Sequence, residues 1–264
     1  MRARLPHPVP LSGVVITLNE EDRIARCIRS LRPVCREVIV LDAGSDDATV
    51  AIARAEGARV EHQEWLGFSA QKNTAISRAT QPWVLMLDAD EWLAPSSPER
   101  IAALFESGRI ERADVWSLPR RTRFLGRTLQ FGGWGNEWLP RLFRADCRYV
   151  PTRHGERLHL AGRKRRRHKA RIEHESARSV EEHRARLQRN ARGFAEERLA
   201  QGYHALPIDP WLHSTAYVLK NYLLRGGFLD GREGFCFHKA QAGYVYDKYR
   251  LLLRRQRDDG SPPS

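Results

Sequence analysis

At 264 residues the chain is long enough for one sizeable core with an appendage, or for two small domains. Its 41% hydrophobic content suits a folded domain, and no stretch approaches the ~18 uninterrupted apolar residues of a membrane span, which excludes a polytopic chain. The net charge of +13 favours anionic partners: nucleic acid, acidic lipid headgroups or phosphorylated substrates.

Strands and helices alternate through the first third. Val14-Val15-Ile16 is a short β-branched run that reads as a buried strand. Asn19 is placed to cap a helix whose apolar positions Ile24, Cys27, Ile28 and Leu31 follow the i, i+3, i+4, i+7 rule. Val38 to Leu41 is a second strand ending at Asp42, and the turn 43–47 opens a helix over Thr49 to Ala55 that Gly57 stops. Arg59 to His62 is a short third strand, Ser69 to Ala79 a helix, and Trp83 to Leu87 a buried strand running into Asp88-Ala89-Asp90-Glu91. Repeated βα units of this length imply a mostly parallel sheet with helices on both faces. Ligands of such sheets bind beyond the carboxyl ends of the strands, where Asp42, Asp88 and Asp90 fall.

Asp88 and Asp90 are two residues apart in an extended segment, so both can project to one side. Paired carboxylates at a strand end make a hard oxygen site suited to Mg2+ or Mn2+ bridging to substrate phosphates. Asp42 is suited to accept hydrogen bonds from a base or ribose, and Lys72 and Asn73 to reach a pyrophosphate or base. Asp46 and Asp47 read as helix caps. The four cysteines, Cys27, Cys35, Cys147 and Cys236, show no CxxC or zinc spacing, which points to a reducing compartment. The opening MRARLPHPVP lacks the apolar core of a signal peptide, so the expected location is cytoplasmic.

The segments VVITLNEEDRIARCIRSL, EVIVLDAGSDDAT, FSAQKNTAI and WVLMLDADEWL resemble the motifs of family 2 glycosyltransferases, most of all the bacterial lipopolysaccharide-core β-glucosyltransferases of the inner leaflet. The likeness runs from about Leu11 to Arg144 and resumes in YLLRGGFLDGREGF. It implies an α/β GT-A fold (Rossmann-like, with a C-terminal helical region), a nucleoside diphosphate sugar donor such as UDP-glucose, a divalent cation, and inversion at the anomeric carbon. Carried over by position, Asp42 would contact the nucleobase, Asp88 the ribose or metal, and Asp90 the metal, with Thr17, Asn19 and Glu20 lining the nucleotide pocket. An acidic residue precedes the family's Arg-Leu-Phe run, which matches Arg141, Leu142 and Phe143 and makes Glu137 the first candidate base. Glu156 is the rival: RHGERL stands where the family has Val-His-Glu, but a glycine separates His154 from the acid. Trp134 and Trp138 are sugar platforms or core aromatics. Arg120, Arg121, Arg123 and Arg127 grip acceptor phosphates or line a solvated strand face.

Composition changes in the second half. Gly162 to Arg171 carries seven Lys or Arg among ten residues. Ser179-Val180-Glu181-Glu182 is a capping-box start for a helix with an apolar stripe from Leu187 to Leu199. Asp209-Pro210 opens a helix over Trp211 to Leu224, closed by Gly226-Gly227. A last helix, about 231–255, carries Phe235, Phe237, Tyr244, Val245, Tyr249, Leu252 and Leu253 among basic residues, a composition suited to a membrane interface. The expected organisation is a tail (1–10), a GT-A catalytic domain (11–160), a basic connector (161–178), a helical membrane-surface region (179–255) and a disordered tail (256–264). A lipid-linked saccharide is the expected acceptor and an anionic membrane, the inner face of the inner membrane, the expected support. Nucleic acid is not an expected partner, because a nucleic-acid-binding protein would explain the charge but not acid-ended strands. A nucleotidyltransferase is the nearer rival, but it would carry a Gly-rich basic loop where this chain has Thr17-Leu18-Asn19-Glu20-Glu21.

Overall fold

The structure, a computed structural model, describes residues 7–135, 137–152, 155–177 and 179–258. The chain divides into two compact units, the first formed by residues up to 120 together with 137–174, the second by 121–136 together with the residues from 175 onward.

The first unit opens with β1 (Val9–Thr17), α1 (Ile24–Leu31), β2 (Cys35–Asp42), α2 (Thr49–Ala55), β3 (Arg59–His62), α3 (Phe68–Ser77) and β4 (Trp83–Asp88). β5 (Glu91–Leu93) and α4 (Ser97–Glu106) follow, then β6 (Val115–Phe124), β7 (Arg127–Thr128), β8 (Glu137–Arg144), β9 (Tyr149–Thr152), β10 (Gly155–Leu158), β11 (Arg165–Arg167) and β12 (Ile172–Ala177), of which β7 and the last residues of β6 and β12 fall in the second unit. The main sheet runs β3-β2-β1-β4-β8-β6-β12-β5. β1 pairs in parallel with both β2 and β4, and β2 with β3. β8 then reverses direction against β4 and β6.

Both faces of this sheet are covered, which is why its strands read as unbroken apolar runs. Val15, Val40, Leu85 and Leu87 face one core with Ile24, Ile28 and Leu31 of α1. Val14, Ile16, Ile39, Leu41, Val84 and Met86 face the other with Ile76 and Phe143. Parallel strands joined by helices, then an antiparallel strand inserted beside the acid-ended β4, give the GT-A arrangement that the motifs imply.

Three expectations change here. Asn19 does not cap α1: it sits at φ 54° in the loop, where its N–H donates to Ser45 Oγ at 2.9 Å, and the helix begins at Ile24. Residues 161–178 are not a simple connector, since Arg165–Arg167 pair in parallel with Val115–Ser117 and Ile172–His174 pair antiparallel with β5. The 121–136 stretch, expected inside the catalytic domain, clusters with the second unit.

The second unit contains α5 (Val180–Ala200), α6 (Asp209–Tyr217) continued by a π-helical segment (Val218–Leu224), a 3-10 turn (Gly227–Asp230) and α7 (Gly231–Asp258). The aromatics of α7 do not form a free face, although Phe235 near its start is half exposed. Phe237 and Leu252 are fully buried and Tyr249 nearly so, packed with Phe124 and Leu129 or with Ala195 and Ala205. Trp134 belongs to this core, its ring 5.1 Å from that of Phe237. Asp230 is buried and accepts the Gln130 and Phe131 N–H groups at 2.9 and 3.0 Å, tying 121–136 to the 3-10 turn. The terminal residues expected as tails lie, for 1–6 and 259–264, outside the described residues. All four cysteines are free, three of them buried.

Ser179 Oγ accepts the Glu182 N–H at 3.0 Å, the capping bond expected from the sequence. Ser179→Ala removes it and should lower stability by ~1 kcal/mol, read as a lower urea midpoint at unchanged slope.

Candidate functional site

Register alone gathers the acids. Thr17 lies opposite Asp42, and Ile16 opposite Asp88, so β2, β1 and β4 end side by side, with Asp42 on the Thr17 face of the sheet and Asp88 on the Ile16 face. At the ~4.8 Å spacing of neighbouring strands, Asp42 and Asp88 stand about 10 Å apart on one edge. Thr17 is buried, and among the described residues its Oγ1 has no hydrogen-bond partner.

The loops after β1 and β2 are stitched together. The Asp46 N–H donates to Asn19 Oδ1 at 3.0 Å, the Glu20 N–H to Thr49 Oγ1 at 2.8 Å, and the Ala48 N–H to Glu21 Oε2 at 3.0 Å. Asp42 is buried and turned into this wall: its Oδ2 accepts the N–H groups of Gly44 and Ser45, each at 2.9 Å, and its Oδ1 the Ser45 hydroxyl. Gly44 stands at φ 101°, a conformation that L side chains rarely adopt. Asp47, expected as a cap, stands one residue before the N-cap Ala48 and accepts the Thr49 N–H at 2.8 Å. Glu20 pairs with Arg23 at 3.0 Å.

Asp88, expected beside Asp90 as a ligand, is instead gripped by cations. Its Oδ1 lies 3.0 Å from Lys72 Nζ and its Oδ2 2.8 Å from an Arg141 nitrogen. Burial alone would raise its pKa, but the Lys72 and Arg141 charges hold it well below the usual carboxylate range. Burial works against the Lys72 charge too, and the Asp88 carboxylate with Tyr149 and Glu156 keeps its pKa above that of an ordinary lysine. Arg141 also bonds Glu91 at 2.7 Å; Glu91, fully buried, takes a second bond from Arg120 at 3.0 Å and a third from the Asp88 N–H at 3.1 Å. Arg120 thus faces inward rather than toward solvent, and its other nitrogen reaches Glu137 at 2.6 Å.

The two candidate bases sit differently. Glu156 shares the Lys72 ammonium with Asp88, 2.8 Å from Nζ, and its side chain is 18% exposed. Glu137 is separated from Asp88 by Arg120, Glu91 and Arg141 in turn, and its side chain is 48% exposed. His154 lies outside the described residues. Asn73 does not reach toward a ligand: its amide is closed on the Tyr149 backbone, accepting the N–H at 2.7 Å and donating to the carbonyl at 2.9 Å. Trp138 is half-buried under the Arg167 guanidinium, 4.9 Å from its ring.

Sequence reasoning missed His174. The β5–β12 pairing sets it opposite Glu91, and its Nε2 lies 3.2 Å from Asp90 Oδ2. Its Nδ1 is buried and has no partner among the described residues. No group of three or more His, Cys, Asp or Glu side chains suited to a metal occurs among the described residues. Asp90 and His174 offer one carboxylate and one imidazole, two side chains that would be suited to hold a divalent ion. The Cys27 thiol reports the local field, since burial and then the carboxylates of Glu91, Asp90 and Asp88 push its pKa well up. Glu91, Arg141 and Arg120 were also missed as a network, although Glu91 directly follows the acid pair.

The sequence model of glycosyl transferase family 2 matches residues 12–165. An uncharacterized glycosyltransferase of Rickettsia conorii is 43% identical over 102 residues, 39% of this chain and 36% of its own length. The lipopolysaccharide core biosynthesis glycosyltransferase LpsC of Rhizobium meliloti is 32% identical over 123 residues, 45% of this chain and 44% of LpsC. The chain thus spans under half the length of either relative. Among solved structures, S. aureus TarS 1-349 aligns over 95% of this chain and 91% of its own at 14% identity and a TM-score of 0.46. Glucosyl-3-phosphoglycerate synthase from Mycobacterium tuberculosis, in complex with Mn2+ and UDP-glucose, aligns over 43% of each chain at 25% identity and a TM-score of 0.35.

Because the folded-state pKa of Asp88 is depressed, its ion pairs contribute full stability above the unfolded value near ~3.9 and lose it as pH falls. Lys72→Met weakens that depression. Urea midpoints should separate wild type from the variant most at neutral pH, and the gap should narrow only in strong acid, as pH falls below the usual carboxylate range toward the depressed folded-state pKa of Asp88; a gap that widens on acidification would contradict the assignment.

Proposed function

Because the chain belongs to glycosyl transferase family 2, we propose that it transfers a hexose, taken as glucose from UDP-glucose, to a lipid-linked saccharide such as the lipopolysaccharide inner core, with inversion. The observation that carries this reading is the shared edge at which Asp42, Thr17 and Asp88 end adjacent parallel strands, with the Asp90–His174 pair beside it. The LpsC relative supports the class of acceptor. In this reading the enzyme works on the cytoplasmic side, peripherally on the inner face of the inner membrane; no helix among the described residues is long and apolar enough to cross one.

The stitched loops 19–21 and 43–49 form the wall for the nucleoside, with Thr17 Oγ1 free to bond it and Asp42 holding the loop in shape. Lys72 and Arg141 fix Asp88 at the strand end, so its position is set before donor arrives. Asp90 and His174 would hold Mg2+ or Mn2+, which when bound supplies charge neutralisation for the departing diphosphate. Glu156, placed by Lys72, takes the proton of the acceptor hydroxyl as that oxygen attacks the anomeric carbon. The bond from that carbon to the phosphate oxygen breaks, and its electron pair leaves with UDP. Holding nucleophile and donor in line supplies much of the acceleration, and the base ~10²- to 10⁴-fold more. Glu137, tied to Arg120, acts here on position rather than on the proton.

Calorimetry should show UDP binding that requires Mn2+ and weakens in Asp90→Asn and His174→Ala. Donor turnover should fall ~10²- to 10⁴-fold in Glu156→Gln with the circular dichroism unchanged, and by less than about tenfold in Glu137→Gln. The reverse ranking hands the proton to Glu137. Indifference to UDP together with tight, salt-dependent DNA binding would sink the transferase reading itself.

A further inference from the structure

The second unit carries a helix whose polarity is inverted. Along α6 and its π-helical continuation, His213, Ser214, Tyr217 and Asn221 form the covered side. The His213 ring stacks on Tyr249 at 4.3 Å, the Ser214 hydroxyl donates to the Ala242 carbonyl at 2.9 Å, and the Tyr217 hydroxyl lies 2.9 Å from His238 Nδ1. The exposed side reads Trp211, Leu212, Thr215, Ala216, Leu219, Lys220, Leu223 and Leu224, two rows at i, i+4 spacing. Trp211 is 63% exposed, Leu212 56% and Leu224 85%. Burial would remove these side chains from water at roughly 25 cal/mol per Å2, yet the fold turns them out.

The stripe does not end with the helix. Phe228, Leu229 and Phe235 are each about half exposed, and the Tyr222 ring bridges to Phe228 and Phe235, 6.2 Å from each. With Ile208 at the other end this makes nine large apolar side chains open to solvent between Ile208 and Phe235. They expose on the order of 1,000 Å2, above the ~300–600 Å2 of the largest patch on a typical monomer.

Charge decides what covers the patch. Every acid from 206 to 240 is withdrawn. Asp209 is buried and accepts the Leu206 N–H, Asp230 is buried under the Gln130 and Phe131 N–H groups, and Glu233 is half-buried against Arg127 at 3.2 Å. The exposed charges of that stretch are Lys220, Arg225, Arg232 and Lys239, all positive. An apolar strip ~20 Å long, with a tryptophan near one end and a cationic rim, matches the boundary between acyl chains and anionic headgroups.

We propose that the outer stripe of α6 and its π-helical continuation, extended by Phe228, Leu229 and Phe235, lies in the plane of an anionic bilayer with these side chains below the headgroups. This deepens the peripheral-membrane part of the proposed function and rests on it. It also shifts most of the contact from α7 to α6, Phe235 being the α7 aromatic that takes part.

The test uses the whole chain with phosphatidylcholine vesicles, with and without phosphatidylglycerol. Wild type should sediment with the anionic vesicles, and Leu223→Glu/Leu224→Glu, a change at exposed positions, should lose at least tenfold in binding while keeping its thermal melt and its UDP calorimetry. Lipids brominated on the acyl chain should quench a component of tryptophan fluorescence in wild type that Trp211→Phe lacks. Sedimentation of the double variant equal to wild type would overturn the assignment of this face while leaving the peripheral reading intact. Binding without quenching at Trp211 would mean surface adsorption only and would also overturn it. If wild type bound no vesicle, both the inference and the peripheral reading would fall, while UDP binding would still stand for the transferase. Dimers broken by the double variant, with no vesicle binding, would assign the stripe to a second copy of the chain.

Discussion

One buried guanidinium organises the acidic edge of the first unit. Arg141, nearly inaccessible, bonds Asp88 and Glu91 at once, and Glu91 in turn takes the Asp88 N–H and Arg120. A charge removed from water is tolerated only when paired with good geometry, and taking away one member of such a set leaves the others uncompensated at a cost of ~3–5 kcal/mol. The consequence is positional. Between Asp88 and Glu91 the chain has little freedom, so the intervening Asp90 is presented to the same neighbour, His174, that β5–β12 pairing delivers. Lys72 closes the other side and brings in Glu156 from a two-stranded ribbon distant in sequence.

This explains which parts of the site were legible beforehand. Strand ends are local: an apolar run that stops at an aspartate identifies Asp42 and Asp88, and the βα rhythm places them on one edge, as the register confirms. The amphipathic spacing of Ile24, Cys27, Ile28 and Leu31 likewise gave α1 its buried face without any tertiary information. What the residue types could not reveal is where each polar group is already engaged. Asn73 has the right chemistry for a ligand, but both ends of its amide are closed on the Tyr149 backbone. Asn19 has the right identity for a cap, but the loop after β2 competes for it and wins. His174 carries no local signal, because its partner is 84 residues away and only a strand pairing brings them together. The ranking of Glu137 over Glu156 rested on adjacency to a motif; the ion pair with Lys72 reverses the order of proximity to Asp88.

The second unit shows the complementary difficulty. Composition favoured α7 as the membrane-facing element because aromatics and cations alternate along it, but Phe237, Tyr249 and Leu252 are what α5, α7 and the 121–136 stretch bury together. Periodicity reports that a helix has an apolar side and says nothing about whether that side is covered. For α6 the usual inference fails in large part, because its contacts with α7 run through His213, Ser214 and Tyr217 as well as the edge of Trp211 against Tyr246.

Both inversions follow one rule. Sequences that specify a fold keep polar groups outward and apolar groups inward, and departures from that pattern concentrate where something other than stability is being selected. In the first unit the departure is a set of ionised groups held inside, each accounted for by a partner. In the second it is a row of leucines and a tryptophan held outside, with nearby acids turned in and cations left out. Leu219 and Leu223 stand about half exposed on α6, apolar surface whose burial would favour folding. On the proposal made for this face, an anionic interface is the surroundings in which both the apolar rows and the cationic rim are at their most stable.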